Sequence, residues 1–318
     1  MRGEQVLLWS MIVAIASCIL QRAWINWLQS HNLRLVQKEY GPTRDPLKGR
    51  TPALGGLVFM FMSLPAFLIG YSLGDGSFVF QISLWSLPLL AGCIGLWDDL
   101  LKYVRHSSEG LSSLQKLGLQ VIIAIGWSMW AAQVPGIRVL PGNPMSVRMF
   151  VPMIAFLVVS MINAVNVTDG LDGLAAGASA ISFIYLSLVV HQGTVGAVMG
   201  AAFSSAFLWH NAHPARIFMG DCGSHFLGGL LTSIVVCGGG CLYLVPAGAL
   251  FGVEILSVAI QIVAIRCFSR KIFLMSPLHH HFELAGWSEV TIVTRFLLLH
   301  LMGMVGALTV GGFLLRQG

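Results

Sequence analysis

Carboxylates are scarce in this chain and lie in a few short polar segments. Of its 318 residues, 56% are hydrophobic, 10% are charged, and 13 are Asp or Glu. Ten of these acids fall in segments that we expect on one side of a membrane, including Asp98, Asp99, Asp169, Asp172 and Asp221. Carboxylates in close proximity repel each other unless a divalent metal or a basic partner offsets their charge. The pattern favours an enzyme that handles phosphates.

The first acidic segment is Asp98-Asp99-Leu100-Leu101-Lys102, at the end of an apolar stretch. On a helix Asp98 and Lys102 share a face, while Asp99 points about a quarter turn away. We expect one carboxylate to pair with the lysine and the other to stay available. The alternative is an exposed helix end with an ordinary ion pair. Two adjacent acids are more than such an end requires.

A second polar segment, 163–173, lies between two apolar stretches and ends in a glycine-rich turn. Thr168 or Asp169 is expected to cap the following helix, and the glycines permit a ligand to approach the backbone closely. Capping does not explain two amides and two carboxylates within ten residues. The candidate ligand contacts in this segment are Asn163, Asn166, Asp169, Gly170 and Asp172.

A third segment, 211–224, carries Asp221 between glycines, just before a predicted helix. Asp221 is either a helix cap or an oxygen ligand for a hard cation. Mg²⁺ takes one or two carboxylates and leaves its other positions to water and phosphate, so a few Asp residues from separate loops are sufficient. Phe218 is either a packing residue or a platform on which a base stacks.

The fourth segment contains three consecutive histidines, His279, His280 and His281, followed by Phe282 and Glu283. Zinc is disfavoured because sequence neighbours point in different directions and no thiolate completes a tetrahedral set. A structural cluster is the simpler alternative. Imidazoles titrate near neutral pH, so the run favours phosphate contacts and proton handling.

Long apolar stretches must position these segments. The mean hydropathy is +0.80, and crossing a bilayer core takes about 20 helical residues. The sequence predicts an all-α polytopic integral membrane protein, with residues 1–318 as a single transmembrane domain. We place ten spans at about 4–25, 52–72, 79–97, 114–132, 148–165, 173–191, 194–211, 224–242, 245–267 and 294–315.

The distribution of Lys and Arg predicts the orientation. If both termini lie outside, fourteen of the 18 basic residues fall on the cytoplasmic side, where positive residues are retained. The four exceptions are Arg2, Arg138, Arg148 and Arg316. The polar segments, and therefore the active site, are then on the cytoplasmic face. The net charge of +5 is explained by orientation and by attraction to anionic lipids and substrates, so nucleic-acid binding need not be invoked.

Together the motifs closely resemble the phospho-N-acetylmuramoyl-pentapeptide-transferase (MraY) family of the polyprenyl-phosphate N-acetylhexosamine-1-phosphate transferase superfamily. The resemblance covers most of the chain, and the motifs occur in the family's order. They are Gly41-Pro42, Lys48 through Thr51-Pro52 to Gly55-Gly56, the Asp98 to Lys102 run, segments 163–173 and 211–224, the run 277–283, and Gly286-Trp287-Ser288-Glu289.

The resemblance implies transfer of phospho-MurNAc-pentapeptide from its UDP donor to undecaprenyl phosphate, which gives lipid I and UMP in peptidoglycan biosynthesis. It also implies a requirement for Mg²⁺ and a place in the bacterial inner (plasma) membrane, and it leaves a homodimer open. The catalytic residues by motif matching are Asp98, Asp99, Asp221 and His280, of which the three acids are also metal candidates. The substrate contacts are Lys48, Thr51, Lys102, Asn163, Asn166, Asp169, Gly170, Asp172, Asn211, Phe218, His279 and His281.

The chain departs from the family pattern in three places. Ala53-Leu54 replaces the usual Thr-Met, a histidine before the lysine is missing, and His225 replaces an apolar residue. None removes a carboxylate or the histidine run. We expect Asp98 to accept a proton from the acceptor phosphate, Asp221 to hold Mg²⁺, and the acceptor to attack the β-phosphate directly. A covalent aspartyl-phosphate route stays open.

Two other functions are compatible with parts of the sequence. A sister enzyme that transfers GlcNAc-1-phosphate to the same lipid class shares the acidic segments, but the histidine run and Gly286-Trp287-Ser288-Glu289 speak against it. A divalent cation transporter would place acids near the middle of several spans. Here we expect only Glu254 to lie deep within one.

Overall fold

A computed structural model describes residues 2–31, 51–135, 137 and 146–317. Within these residues the protein is all-helical. The helices are α1 Arg2–Ser30, α2 Leu57–Ser72, α3 Phe78–Val104, α4 Ser113–Ala131, α5 Val147–Thr168, α6 Leu174–Val189, α7 Thr194–Asn211, α8 Gly220–Cys237, α9 Leu244–Ala247, α10 Ala249–Phe268, α11 Leu278–Leu284 and α12 Glu289–Gln317, with a 3-10 turn at Cys241–Tyr243.

Each of the ten predicted apolar stretches coincides with one long helix, and α9, α11 and the 3-10 turn are additional short elements. Five of the helices, α1, α3, α5, α10 and α12, are long and apolar enough to cross a membrane. This supports the prediction of a helical membrane protein. The boundary difference that matters most for the polar segments is at α8, which begins at Gly220 and not at 224, and therefore includes Asp221 in its first turn.

Helix α8 forms the centre of the bundle, where every residue from Cys222 to Cys237 is buried. Its start approaches α3 so closely that a Cβ on Gly95 would lie 2.1 Å from the carbonyl oxygen of Asp221. A Cβ on Gly56 would likewise lie 2.1 Å from the backbone of Gly223. Glycines at these contacts let the helix backbones approach each other. They bring Asp221 against the end of α3.

Helices α10 and α12 lie at the periphery and expose large apolar side chains. Val263 is 52% exposed and Leu299 is 66% exposed. Contiguous apolar surface of this kind marks contact with a membrane or a partner. It fits the lipid environment that the composition predicts.

The segment after α10 folds back along that helix and carries the histidines with it. The backbone amides of Ile272 and Phe273 each donate to the Gln261 carboxamide oxygen at 3.0 Å. Farther back along α10, Glu254 contacts His279 at the start of α11. The fold-back places His279 against Gly170 in the α5–α6 turn, since a Cβ on this glycine would lie 2.3 Å from the His279 ring.

Candidate active site

The three acids predicted to be catalytic converge between α3 and α8. Asp98, Asp99 and Asp221 each offer a carboxylate oxygen, and these oxygens lie within 4.8 Å of one another. The side chains of Asp98 and Asp99 are each 1% exposed, and that of Asp221 is 15% exposed. We call these residues the acid cluster. Its oxygens are of the type and spacing that a hard divalent cation requires.

Asp99 is anchored by the first turn of α8. Its carboxylate accepts hydrogen bonds from the backbone N–H of Asp221 at 3.2 Å and of Cys222 at 3.0 Å. These amides have no intrahelical partner at a helix N-terminus, where the helix dipole also favours a negative charge. The expectation that Asp99 stays available is therefore wrong for this structure. Asp221 does not cap α8 either, because it lies inside the first turn, and no side-chain cap is formed there.

Two lysines bridge the acid cluster. Lys102 Nζ lies 2.6 Å from Asp98 Oδ2, 3.4 Å from Asp99 Oδ1 and 3.1 Å from Asp221 Oδ2. Lys116, at the start of α4, lies 2.5 Å from Asp221 Oδ2 and 3.2 Å from Asp98 Oδ2. The sequence does not single out Lys116 among the basic residues, because its partner Asp221 is 105 residues away. Three carboxylates and two ammonium groups in one buried place form a site suited to phosphate and metal chemistry.

Asn166 and Asn163 lie on α5, as predicted, but in two different layers. Asn166 donates to Asp221 Oδ1 at 2.9 Å and to the Ser224 hydroxyl at 2.9 Å. One turn away, Asn163 donates to the Gln120 carboxamide oxygen at 2.7 Å, and the other end of this carboxamide lies 3.0 Å from the His225 ring. Asn166 therefore holds the acid cluster directly, whereas Asn163 belongs to a polar layer beneath it.

Asp169 ends α5 beside the acid cluster. Within the described part of the chain, its carboxylate has no hydrogen-bond or ion-pair partner. Burial, together with the negative charges of Asp221, Asp99 and Asp172, raises the pKa of Asp169 well above its ordinary value. Neither Thr168 nor Asp169 caps α6. The Thr168 hydroxyl bonds back to a carbonyl in its own helix, and the N-cap of α6 is Gly173, at φ +83°.

Asp172 belongs to a second polar group, with His213 and Glu289, which sequence reasoning did not identify. His213 Nδ1 lies 3.0 Å from Asp172 Oδ2 and 3.4 Å from Glu289 Oε2. The carboxylate of Asp172 also accepts from the Ala215 amide at 3.1 Å, and the amide of Asp172 donates to Glu289 at 2.7 Å. These bonds connect the α5–α6 turn to segment 212–219 and to the start of α12.

The residues predicted to contact the nucleotide are only partly in place for that role. Both ends of the Asn211 carboxamide are taken up by backbone, the Gly173 amide at 3.0 Å and the Ile217 carbonyl at 2.8 Å. The Thr51 hydroxyl donates to the Ala215 carbonyl at 3.3 Å. Phe218 is partly exposed. Lys48 lies outside the described residues.

The three histidines point in different directions, as predicted. His279 Nδ1 lies 3.2 Å from Glu254 and His280 Nδ1 lies 2.5 Å from Glu283, whereas His281 Nδ1 accepts from the Leu274 amide at 3.1 Å. Of the three, His279 contacts the α5–α6 turn through Gly170. The structure pairs His280 with Glu283 and shows no contact with the acid cluster among the described residues.

Comparisons with known proteins agree with this arrangement. Residues 81–239, which include the acid cluster, match the family described as Glycosyl transferase family 4. A phospho-N-acetylmuramoyl-pentapeptide-transferase of Desulforudis audaxviator is 38% identical over 87% of this chain and 91% of its own length. A protein of the same name from Dictyoglomus turgidum is 34% identical over 95% of this chain and 97% of its own length. A third protein of this name, from Oceanobacillus iheyensis, is 36% identical over 93% of this chain and 95% of its own length.

Proposed function

Because the chain belongs to the phospho-N-acetylmuramoyl-pentapeptide-transferase family, we propose that it transfers phospho-MurNAc-pentapeptide from UDP-MurNAc-pentapeptide to undecaprenyl phosphate. The products are lipid I and UMP, in peptidoglycan biosynthesis. The observation that best supports this reaction is the acid cluster with its two lysines. A reaction between a phosphate and a pyrophosphate needs such a set of charges.

The lysines counter the repulsion between the substrates. The acceptor phosphate and the donor pyrophosphate are both anionic, and their approach is favoured by fixed positive groups in a site that excludes water. Lys102 and Lys116 stand between Asp98 and Asp221. We propose that both ammonium groups contact phosphate oxygens when the substrates are bound.

The acid cluster fits Mg²⁺, because it offers three carboxylate oxygens within 4.8 Å of one another. Asp221 and Asp98 are the better ligand candidates, because mobile lysine ammonium groups contact the Oδ2 atom of each, whereas fixed backbone amides of α8 hold both oxygens of Asp99. Asp99 then holds α8, and with it Asp221, in position. Asp98 and Asp221 would hold the ion, and Mg²⁺ bound there would supply Lewis-acid chemistry toward the pyrophosphate.

Two carboxylates are candidates for accepting a proton from the acceptor phosphate. Asp98 is the expectation from sequence, but two ammonium groups contact its Oδ2 atom, and the Leu111 amide donates to Oδ1 at 2.8 Å. These contacts occupy both oxygens of the Asp98 carboxylate. Asp169 has no described partner and a raised pKa, which suits a general base. We therefore favour Asp169, and attack by the acceptor on the β-phosphate, with the aspartyl-phosphate route as the alternative.

Phe218, which is partly exposed, is the candidate platform for the uracil base. Thr51 is a further candidate contact, and its hydroxyl donates to the carbonyl of Ala215, three residues before Phe218. Asn211 contributes indirectly, because it holds the Gly173 amide and the Ile217 carbonyl. Lys48 remains a basic contact proposed from the family motif alone.

We propose that all ten long helices cross the bacterial inner membrane, with both termini outside and the acid cluster on the cytoplasmic side. The lipid acceptor favours this placement, because its headgroup must meet a soluble donor where the spans end. The whole of 1–318 then acts as one transferase domain. A homodimer stays compatible with it.

Measurement of UMP release tests the proposed function. Purified protein with undecaprenyl phosphate and Mg²⁺ should release UMP from UDP-MurNAc-pentapeptide and not from UDP-GlcNAc, and a chelator should stop the reaction. Preference for UDP-GlcNAc would identify the sister enzyme instead. No release from either donor, together with metal flux into vesicles, would identify a transporter.

A further inference from the structure

Glu254 is a fully buried acid in α10 to which the reaction described above assigns no role. It is 0% exposed, and one of its oxygens, Oε1, has no hydrogen-bond partner among the described residues. The other, Oε2, lies 3.2 Å from His279 Nδ1 and 3.5 Å from the backbone N–H of the same residue. A buried carboxylate is costly unless it is paired. The partner of Glu254 in the structure is His279, one of the three histidines predicted to lie at the active site.

The contact fixes which nitrogen of His279 carries a proton. An ionised carboxylate can only accept hydrogen bonds, so Nδ1 must be the donor. The other nitrogen, Nε2, is then unprotonated in the neutral ring and is free to accept a proton or a hydrogen bond. A negative charge beside Nδ1 also stabilises the ring whenever Nε2 becomes protonated, as carboxylates do for other histidines.

The free nitrogen faces the α5–α6 turn. His279 Nε2 is buried and has no hydrogen-bond partner among the described residues. It lies so close to Gly170 that a Cβ there would be 2.3 Å away, and Gly170 follows Asp169 directly. The ring of His280 packs edge-on against that of His279, with an interplanar angle of 63° and centroids 4.3 Å apart, so the imidazole has little freedom to turn.

We propose that Glu254 is a positioning residue for His279, which sets the Nδ1–H tautomer so that Nε2 accepts a hydrogen bond from a protonated phosphate oxygen of the substrate at the α5–α6 turn. This inference rests on the proposed function, because it requires a phosphate-bearing substrate at that turn. Glu254 itself does not touch the substrate. Its effect on turnover passes entirely through His279.

The simpler alternative is that Glu254 only anchors α11 to α10. An anchor contributes to stability, and its loss should add to the loss of His279 in a double variant. A positioning residue behaves differently, because its loss has no further effect on turnover once the imidazole is gone.

The test is a double-mutant cycle on UMP release with E254Q, H279Q and the pair. Glu254→Gln keeps the size of the side chain but removes the charge and the obligate acceptor. We expect E254Q to lower kcat about 10- to 100-fold with little change in donor KM, and the double variant to be no slower than H279Q. Asp75→Asn is the matched control, since Asp75 is a partly buried acid that bonds backbone amides elsewhere, and it should leave kcat unchanged. Additive losses, or a normal kcat in E254Q, would overturn the proposal.

A spectroscopic measurement separates this inference from the proposed function. In ¹⁵N spectra of histidine-labelled protein, the His279 signals are identified by their absence in H279Q among the 10 histidines of the chain. The wild type should show a neutral ring protonated at Nδ1, and E254Q should shift population toward the other tautomer. A ring protonated at Nε2 in the wild type, or no change in E254Q, would refute it. Wild-type protein with this tautomer but no UMP release would refute the proposed function instead.

Discussion

Two carboxylates near opposite ends of α3 each accept hydrogen bonds from the first amides of another helix, but their surroundings differ. Asp75, just before α3, accepts hydrogen bonds from the amides of Gly193 at 3.0 Å and Val195 at 2.7 Å, where α7 begins. Asp99, near the other end, accepts from Asp221 and Cys222 where α8 begins. Each satisfies amides that a helix start leaves unpaired. About 30 Å of helix separates the two places.

The difference lies in what else surrounds each carboxylate. Within the described residues, Asp75 has no other acid or base bonded to it, and its neighbour Gln81 bonds its backbone carbonyl. Asp99 shares its site with Asp98, Asp221 and two lysines. Capping a helix explains one acid at each place. The additional charges around Asp99 are the ones that we assign to the reaction.

Asp221→Asn tests the difference between the two places with the largest expected effect. Loss of this charge removes a metal candidate and a lysine partner, so kcat for UMP release should fall about 10²- to 10³-fold, as for other preorganised charges. Folding in detergent should be retained, since Asn keeps the size of the side chain. Near-normal turnover would remove Asp221 from the catalytic set, whatever the behaviour of D75N.

Asp169→Asn tests whether Asp169 is the general base of the reaction. Because the pKa of Asp169 is raised, a general base at this position is active above that raised pKa, and its activity is lost as the pH falls through it. We expect D169N to lower kcat about 10- to 100-fold and to flatten the acidic side of the pH profile. An unchanged profile would return the proton-accepting role to Asp98.

The same substitution has a predicted effect on stability. A carboxyl with a raised folded pKa contributes stability below its unfolded pKa, and this stability is lost as the pH rises through the folded value. D169N should therefore melt at a higher temperature than the wild type at pH 8 and lose that advantage near pH 4. Thermal unfolding in detergent at both values measures the difference. A D169N protein less stable than the wild type at pH 8 would contradict it.

Phe218→Ala tests whether the uracil base of the donor stacks on the Phe218 ring. Stacking of a base on an aromatic ring contributes about 1–3 kcal/mol, so the donor KM should rise roughly 10-fold, with little change in the KM for undecaprenyl phosphate. Phe218→Tyr keeps the ring face and serves as the control. An unchanged donor KM in F218A would reject stacking.

Asp75→Ala should have the smallest effect on activity. The substitution leaves the first amides of α7 without their acceptor, which costs about 1 kcal/mol for a lost helix cap and lowers Tm by roughly 2 °C. Turnover per folded molecule should be unchanged. A large loss of kcat would show that the Asp75 end of α3 takes part in the reaction, which contradicts the comparison.

The sequence predicted the helices well, because bilayer-length apolar runs leave few alternatives to a helix. It also predicted that Asp98, Asp99 and Asp221 come together, on the basis of residue types in separate loops. The residues that pair with these acids and with the histidines could not be predicted from the sequence. Lys116 meets Asp221, and Glu254 meets His279, across different helices, and local periodicity carries no information about such pairs. Asp99 appeared available because the start of α8 was placed four residues too late.

Metal binding measures the central claim most directly. Mn²⁺, observed by electron paramagnetic resonance with UMP present, should bind at one site per chain in the wild type and in D75N, and Mg²⁺ should displace it. In D221N the affinity should fall at least about 10-fold, which corresponds to about 1.4 kcal/mol. Equal Mn²⁺ affinity in D221N and the wild type, or a loss of binding in D75N, would contradict the assignment of the acid cluster as the reaction centre.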